Sequence, residues 1–300
     1  MIYKSRVIAL GFFDGIHLGH SALMKKVQEI SAQKELIPSV ITFDNHPLSL
    51  IGGESVALIN SLEDRAGLIN RKFDIDDILF IHFDKATAQI AWYEFIDHLI
   101  DEFGAKHLVA GQDFRFGNGG AGNSELLVSK CLELGIGCDI IPEVSIDGIK
   151  CSSTYIRKLI AEGNIERANI FLGHKHVLTD VVRYGFRLGR TLGTPTINMC
   201  FGDDVLVPAF GVYATKVYLD DGSEHIGVTN IGIRPTVENG NGHVTAETHI
   251  LDYRGNLYGH KVRIEFYKHL RAEIRFSGTD ELKAQIARDC DSTREYFSNE

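Results

Sequence analysis

The chain has 300 residues, 44% of them hydrophobic, and a formal net charge of −9 at pH 7. That length suffices for two domains whose cores need no covalent staples, and the acidic balance excludes the broad basic footprint of a nucleic-acid binder. The five cysteines, Cys131, Cys138, Cys151, Cys200 and Cys290, show no zinc or disulfide spacing. With no signal-peptide pattern and no apolar run near the ~20 residues of a membrane span, the expectation is a cytoplasmic protein acting on small molecules, with no nucleic-acid or membrane partner.

Residues 1 to about 150 alternate strand-like and helix-like stretches. Strands are predicted at Arg6–Phe13, Pro38–Phe43, Ile78–Phe83, His107–Gly111 and Cys138–Val144, and helices at Leu18–Lys34, Leu62–Phe73, Tyr93–Phe103 and Glu125–Leu134, with Ser61 beside Asp64 and Ser124 as caps. This alternation predicts an α/β domain, a doubly wound parallel sheet with crossover helices, whose ligands sit beyond the carboxyl ends of the strands.

The motif Gly11 to His20, GFFDGIHLGH, falls at such an end and leads into an apolar stripe at Leu23, Met24, Val27 and Ile30. A strand-to-helix turn presents backbone N–H groups to a phosphate, Gly11, Gly15 and Gly19 allow close approach, and His17 and His20 lie three apart on one helical face. Two imidazoles on one phosphate would stabilise charge as a phosphoanhydride breaks. A His-x-x-His metal pair and two surface histidines are the alternatives. Thr42 to Pro47 reads alone as a turn. The glycine-rich run from Gly111 to Asn123 is a surface loop or one that closes on a ligand, with Phe114 and Phe116 against a flat ring or anchoring the loop to the core. Ser152, Ser153 and Thr154 before Arg157 offer hydroxyls and a guanidinium to a triphosphate, or a simple helix cap with a solvated arginine.

A junction is expected at Ala168 to His176. Beyond it, strand candidates Leu178–Tyr184, Val212–Leu219, Ile226–Ile231, Val244–Leu251 and Lys261–Tyr267 follow one another without helices, separated by turns such as Asp220-Asp221-Gly222 and Asn239 to Gly242. They predict an antiparallel β-barrel with a terminal helix capped near Ser277. The run from Gly185 to Asn198 lacks the spacing of a Walker A loop. Thr196 and Asn198, two apart on an extended chain, could share a Mg²⁺, or the run is a turn feeding a strand.

GFFDGIHLGH resembles the G-x-F-D-G-x-H-x-G-H signature of the bacterial nucleotidyltransferases that make FAD, distant relatives of the class I aminoacyl-tRNA synthetases with their HIGH-type motif. Further matches reach the end of the chain: GQDFRFG to G-x-D-F-x-F-G, CSSTYIR to I-S-S-T-x-I-R, GFRLGRTLGTPTIN to G-x-x-x-G-R-x-L-G-x-P-T-A-N, and ETHILD to E-T-H-x-x-D. The whole is similar to the riboflavin kinase/FMN adenylyltransferase (prokaryotic FAD synthetase) family. The resemblance implies an FMN adenylyltransferase domain at 1–172 and a riboflavin kinase domain at 178–300, with ATP as co-substrate, Mg²⁺, and riboflavin, FMN and FAD as substrates or products. It assigns His17, His20, Arg157 and Glu247 to catalysis, Glu247 as general base. Gly11, Phe12, Asp14, Gly15, Gly19, Ser152, Ser153, Thr154, Gly189, Arg190 and Gly193 go to nucleotide, His46, Asp113, Phe114, Phe116, Arg234 and Arg271 to flavin, and Thr196 and Asn198 to the metal. Three positions depart from the family pattern: Tyr155 stands where Arg is common, His174 lies in a segment usually L-G-R-P-Y, and Ile197 replaces Ala. Retention of one activity only, or a non-catalytic flavin-binding regulator on the same fold, is the alternative.

Overall fold

The run Val7-Ile8-Ala9-Leu10 is buried on both sides, which only the middle of a covered sheet permits. In the computed structural model, which describes residues 4–45, 56–185, 194–234 and 243–299, it is β1 (Arg6–Leu10). His46, Gly189, Arg190, Gly193 and the Asn239 to Gly242 turn lie outside the described residues. Contacts divide the chain into two compact units, residues 1–58 with 65–153 and residues 59–64 with 154–300.

In chain order the first elements are α1 (Leu18–Lys34), β2 (Ile37–Phe43), α2 (Leu62–Phe73), β3 (Asp77–Ile81), α3 (Lys85–Gln89), α4 (Trp92–Asp101), β4 (Ala105–Gly111), α5 (Ser124–Glu133) and β5 (Gly137–Ile141). The five strands form one parallel sheet in the order β3-β2-β1-β4-β5, the expected α/β architecture. Phe95, Ile96 and Leu99 of α4 and Leu127 and Cys131 of α5 pack with Ile8, Leu10, Leu108 and Ala110. The alternate residues Val7 and Ala9 turn to the other face, where α1 buries Leu23, Met24, Val27 and Ile30, each stabilising by on the order of 2 kcal/mol. Strand order reverses at β1, with β2 on one side and β4 on the other, so a crevice opens beyond its carboxyl end.

Three local expectations are corrected. β1 stops at Leu10 instead of Phe13 because Phe13, Gly15 and Ile16 turn left-handed, at φ 56°, 83° and 42°. The cap of α5 is Asn123, whose Oδ1 accepts from the Leu126 N–H at 2.9 Å; Ser124 instead donates to the Gln112 carbonyl. β5 ends at Ile141, and a hairpin follows, β6 (Ser145–Ile146) and β7 (Ile149–Lys150), turning on Asp147 and Gly148 with φ 51° and 74°, the left-handed pair that a two-residue hairpin loop requires. Ser61 does cap α2, accepting from the Asp64 N–H at 3.0 Å.

The second unit contains α6 (Ser153–Ala161) from Thr154 on, α7 (Ile165–Leu172), β8 (His176–Val181), β9 (Thr196–Cys200), β10 (Gly211–Tyr218), β11 (Glu224–Arg234), β12 (His243–Ile250), β13 (Lys261–Arg271) and α8 (Thr279–Ser298). Its strands run β8-β13-β10-β11-β12-β9, all antiparallel. β9 adds a strand to the five expected, and the Arg183 N–H donates to the Asn198 carbonyl at 2.9 Å, drawing the chain after β8 toward β9 and rounding the sheet. Inside it the hydroxyls of Thr215, Thr229 and Thr248 form a buried chain. α8 lays Ile286 and Cys290 on Val212 and Val228. Its N-cap is Gly278 rather than Ser277, which donates through its N–H and hydroxyl to Glu281.

His176 opens β8 fully buried beside the Phe266 ring, with neither ring nitrogen partnered among the described residues. Burial, and then the charge of His174, pushes its pKa down to about 3. Below the ordinary histidine value of ~6.5 the unfolded chain takes up a proton that the folded chain refuses, so stability falls as pH drops from ~6.5 toward 3, by up to ~1.4 kcal/mol per pH unit. A chemical-denaturation series across that window is expected to show this slope, and His176→Leu to flatten it.

Candidate active sites

In the first unit a pocket of about 390 Å³ opens beyond the strand ends, lined by Gly11, Phe12, His17, Gly19, His20, Asp113, Phe114, Arg115, Lys150, Ser152 and Ser153 among others. The left-handed turn through Gly15 delivers His17 as the N-cap of α1, where its Nδ1 accepts from the His20 N–H at 3.3 Å. That bond fixes the neutral ring as the tautomer with its proton on Nε2, a donor. The two imidazoles stack with centroids 3.6 Å apart. Burial first, then His17 and Arg65, hold the His20 pKa well below the ordinary histidine value, so His20 is neutral at pH 7. Gly19 is required for space, since a Cβ there would lie 2.9 Å from the His17 ring. Asp14 and Gly15 are buried inside the turn, with the Asp14 carbonyl accepting from the Ser153 hydroxyl at 2.8 Å.

Phe114 stands on the pocket wall, whereas Phe116 is 6% exposed, stacked between Phe114 and Phe95 in the core. Of the two expected roles for Phe116, the core anchor is the one observed. The glycine-rich loop is folded onto it by a Phe116–Gly122 bridge, and a Cβ at Gly122 would meet its ring at 2.7 Å. Thr154 and Arg157 belong to the second unit, where Thr154 is exposed and Arg157 half-buried. Tyr155 packs on Phe171 and accepts a hydrogen bond from Arg167.

Two residues without a motif shape this pocket, Arg65 from behind Phe12 and Phe43 and Lys150 on its wall. Arg65 is fully buried; its Nη1 donates to the Phe12 carbonyl at 3.1 Å, the Phe43 carbonyl at 2.9 Å and the Thr42 hydroxyl at 3.2 Å, and its guanidinium lies 4.5 Å from the Phe12 ring centre. Lys150, at the rim, pairs with Asp113 at 2.7 Å and with Glu143; these contacts, Asp113 foremost, raise its pKa.

The second unit carries two neighbouring pockets, of about 380 and 250 Å³. Thr196 lines both. The larger adds Ile197, Thr248, Tyr253, Leu257 and Tyr258; the smaller adds Asn230, Glu247, His249, Arg271, Glu273, Phe276 and the α8 residues Leu282 and Ile286. Glu247 and Thr248, consecutive on β12, point into different pockets, as strand alternation requires. Register also sets Asn198, Glu247, Asn230, Val212 and Arg271 in one row across β9, β12, β11, β10 and β13. Asn198 is 6% exposed, and its Oδ1 is buried without a partner among the described residues, the kind of oxygen a hard cation would satisfy. Arg234 ends β11 opposite His243. No three His, Cys, Asp or Glu side chains gather as a metal site among the described residues.

The FAD synthetase family profile matches residues 2–155 and the riboflavin kinase profile residues 172–297. Proteins described as bifunctional riboflavin kinase/FMN adenylyltransferase from Listeria monocytogenes, Bacillus subtilis and Escherichia coli are 34%, 35% and 36% identical over 98%, 98% and 97% of this chain and 93%, 93% and 92% of their own. The chain belongs to the bifunctional riboflavin kinase/FMN adenylyltransferase family. A solved structure named as a macrolide-efflux protein, from Streptococcus pneumoniae, is similar at a TM-score of 0.84 and 28% identity over 97% of this chain and 94% of that one. Among the described residues here, no helix is long and apolar enough to cross a membrane.

Within this family frame Ile197, the departure from the pattern beside the expected metal ligands, lines the larger pocket of the second unit. His174 turns its Nδ1 to the Lys175 carbonyl at 2.7 Å. Arg65→Met is expected to cost on the order of 3 kcal/mol, because it strips buried carbonyls of their donor, and to lower FAD formation from FMN more than FMN formation from riboflavin. Denaturant midpoints and the two separate assays check this.

Proposed function

We propose that the first unit adenylylates FMN to FAD and that the second phosphorylates riboflavin to FMN, each step using ATP, with the boundary between the two functions falling within residues 153–178. The observation that carries the reading is the stacking of two imidazoles at a helix start in the pocket of the first unit, together with a carboxylate, Glu247, on the wall of the smaller of the two pockets that share Thr196 in the second.

In the kinase site the acceptor occupies the smaller pocket and the nucleotide the larger, with the phosphoryl group crossing at Thr196, the residue both share. The terminal ribityl oxygen attacks the γ-phosphorus, the bond to ADP breaks, and Glu247 accepts the hydroxyl proton. Thr196 and Asn198 would hold Mg²⁺, which supplies charge neutralisation on the phosphates when bound. The resemblance to the family implies that Gly189, Arg190 and Gly193 meet the nucleotide and Arg234 the flavin.

In the adenylyltransferase site a phosphate oxygen of FMN attacks the α-phosphorus of ATP and pyrophosphate leaves. No proton transfer and no side-chain nucleophile is required, so the protein contributes position and donors. His17 and His20 donate to the phosphates, Ser152 and Ser153 add hydroxyls and N–H groups, and Phe114 with Asp113 faces the flavin. We assign the protein to the cytoplasm.

Purified protein given riboflavin, ATP and Mg²⁺ is expected to yield FMN and then FAD, resolved by chromatography. His17→Ala should lower FAD formation from FMN by about 100-fold or more while FMN still accumulates. Glu247→Gln should lower FMN formation by about 100-fold or more and leave conversion of supplied FMN to FAD intact. Wild-type FAD rates in the first variant would remove the histidine assignment, and wild-type FMN rates in the second the base.

A further inference from the structure

Arg271 ends β13 on the wall of the smaller kinase pocket, and what holds it there comes from the terminal helix. Asp289 of α8 is 5% exposed. Its Oδ1 accepts from Arg271 Nε at 3.0 Å and its Oδ2 from Arg271 Nη2 at 2.7 Å. Gln285, one turn earlier, donates to Oδ1 at 2.8 Å, and Arg271 Nη1 donates to the Ala272 carbonyl at 3.0 Å. A carboxylate set into the apolar seam of Ile286, Cys290, Val212 and Val228 is a poor choice for stability alone, since an apolar pair of the same volume would serve as well or better. It does fix the orientation of the guanidinium. Of its five N–H groups, the bonds to Asp289 and Ala272 leave one on each Nη for a ligand.

The direction of those donors matters because of the strand register. Arg271 and Glu247 stand three strands apart in the row across the sheet, about 14 Å along it at ~4.8 Å per strand. The guanidinium is thus rooted at the end of the row away from the base. It meets the opposite end of the acceptor, where Phe276, Leu282 and Ile286 supply the apolar wall for a flat ring and the two N–H groups suit its carbonyl edge. We infer that Asp289 is a positioning residue of the kinase site, aiming Arg271 at the carbonyl edge of the isoalloxazine ring. The inference rests on the reading of this pocket as the riboflavin site.

The test measures riboflavin KM, ATP KM and kcat for FMN formation, and riboflavin Kd by flavin fluorescence, for Asp289→Ala, Asp289→Asn, Arg271→Ala and the double variant Asp289→Ala with Arg271→Ala. Two-transition thermal unfolding and far-UV circular dichroism report that the second unit of each variant is folded. Asp289→Ala is expected to raise riboflavin Kd and KM about tenfold with kcat and ATP KM within about twofold. Asp289→Asn, which keeps an acceptor oxygen, should lose less. If Asp289 acts through Arg271, the double variant matches Arg271→Ala. Additive losses in the double variant, or a fall in kcat with riboflavin KM unchanged, would overturn the inference. Unchanged riboflavin binding in Arg271→Ala would instead overturn the pocket reading itself, and the inference with it. Should Asp289→Ala fail to fold, Asp289→Asn decides: a raised riboflavin Kd supports the positioning role, and a wild-type Kd overturns it.

Discussion

Parallel strands that stop side by side leave carbonyls with no ladder partner, and buried carbonyls must find donors. In the first unit Arg65 answers them: one guanidinium nitrogen takes the carbonyls of Phe12 and Phe43 together with the Thr42 hydroxyl, which itself donates to Phe12. The chain leaving β1 is thereby tied to the end of β2. The residues after that tie make the turn, left-handed at Phe13, Gly15 and Ile16, that brings His17 to the start of α1. The cation also acts electrostatically. After burial and His17, it helps hold the His20 pKa well below the ordinary histidine value.

The second unit reaches its geometry by register. A one-residue slip of β12 would exchange Glu247 and Thr248, turning the carboxylate into the larger pocket and the threonine into the smaller. The buried chain of Thr215, Thr229 and Thr248 hydroxyls opposes that slip, because any shift would leave them unpaired in the core. The polar ladder on the inner face therefore fixes the row on the outer one, from Asn198 through Glu247 to Arg271.

Elements with a clear period were legible in the sequence: α1 shows its apolar stripe at Leu23, Met24, Val27 and Ile30, and β1 its unbroken run. The strand-to-helix turn was legible too, because a strand, glycines and spaced histidines each constrain the same few residues. What could not be read depends on partners distant along the chain or on competition between neighbours. Asn123 and Ser124 are both good caps, and only the nearby Gln112 carbonyl draws the serine away. Phe114 and Phe116 are alike in sequence, yet the Gly122 bridge puts one in the core and leaves the other at the pocket. β9 was obscured by the Gly-Thr-Pro-Thr run that leads into it. Lys150 is an ordinary exposed-looking lysine until the hairpin brings it between Asp113 and Glu143.

The pocket in each unit is supported by a residue without a motif, and the two supports share a form. Arg65 follows the cap of α2 and looks like a surface arginine on a helix; Asp289 sits among the charges of α8 and looks like a solvated aspartate. Each is instead almost wholly buried and each binds a functional segment far away in the chain, at Phe12 and at Arg271. Burying an ionised group is costly unless its bonds are complete, so such a residue tolerates few alternative arrangements around it. That intolerance narrows the placement of the segment it holds, which is what a site working by position rather than by covalent chemistry needs.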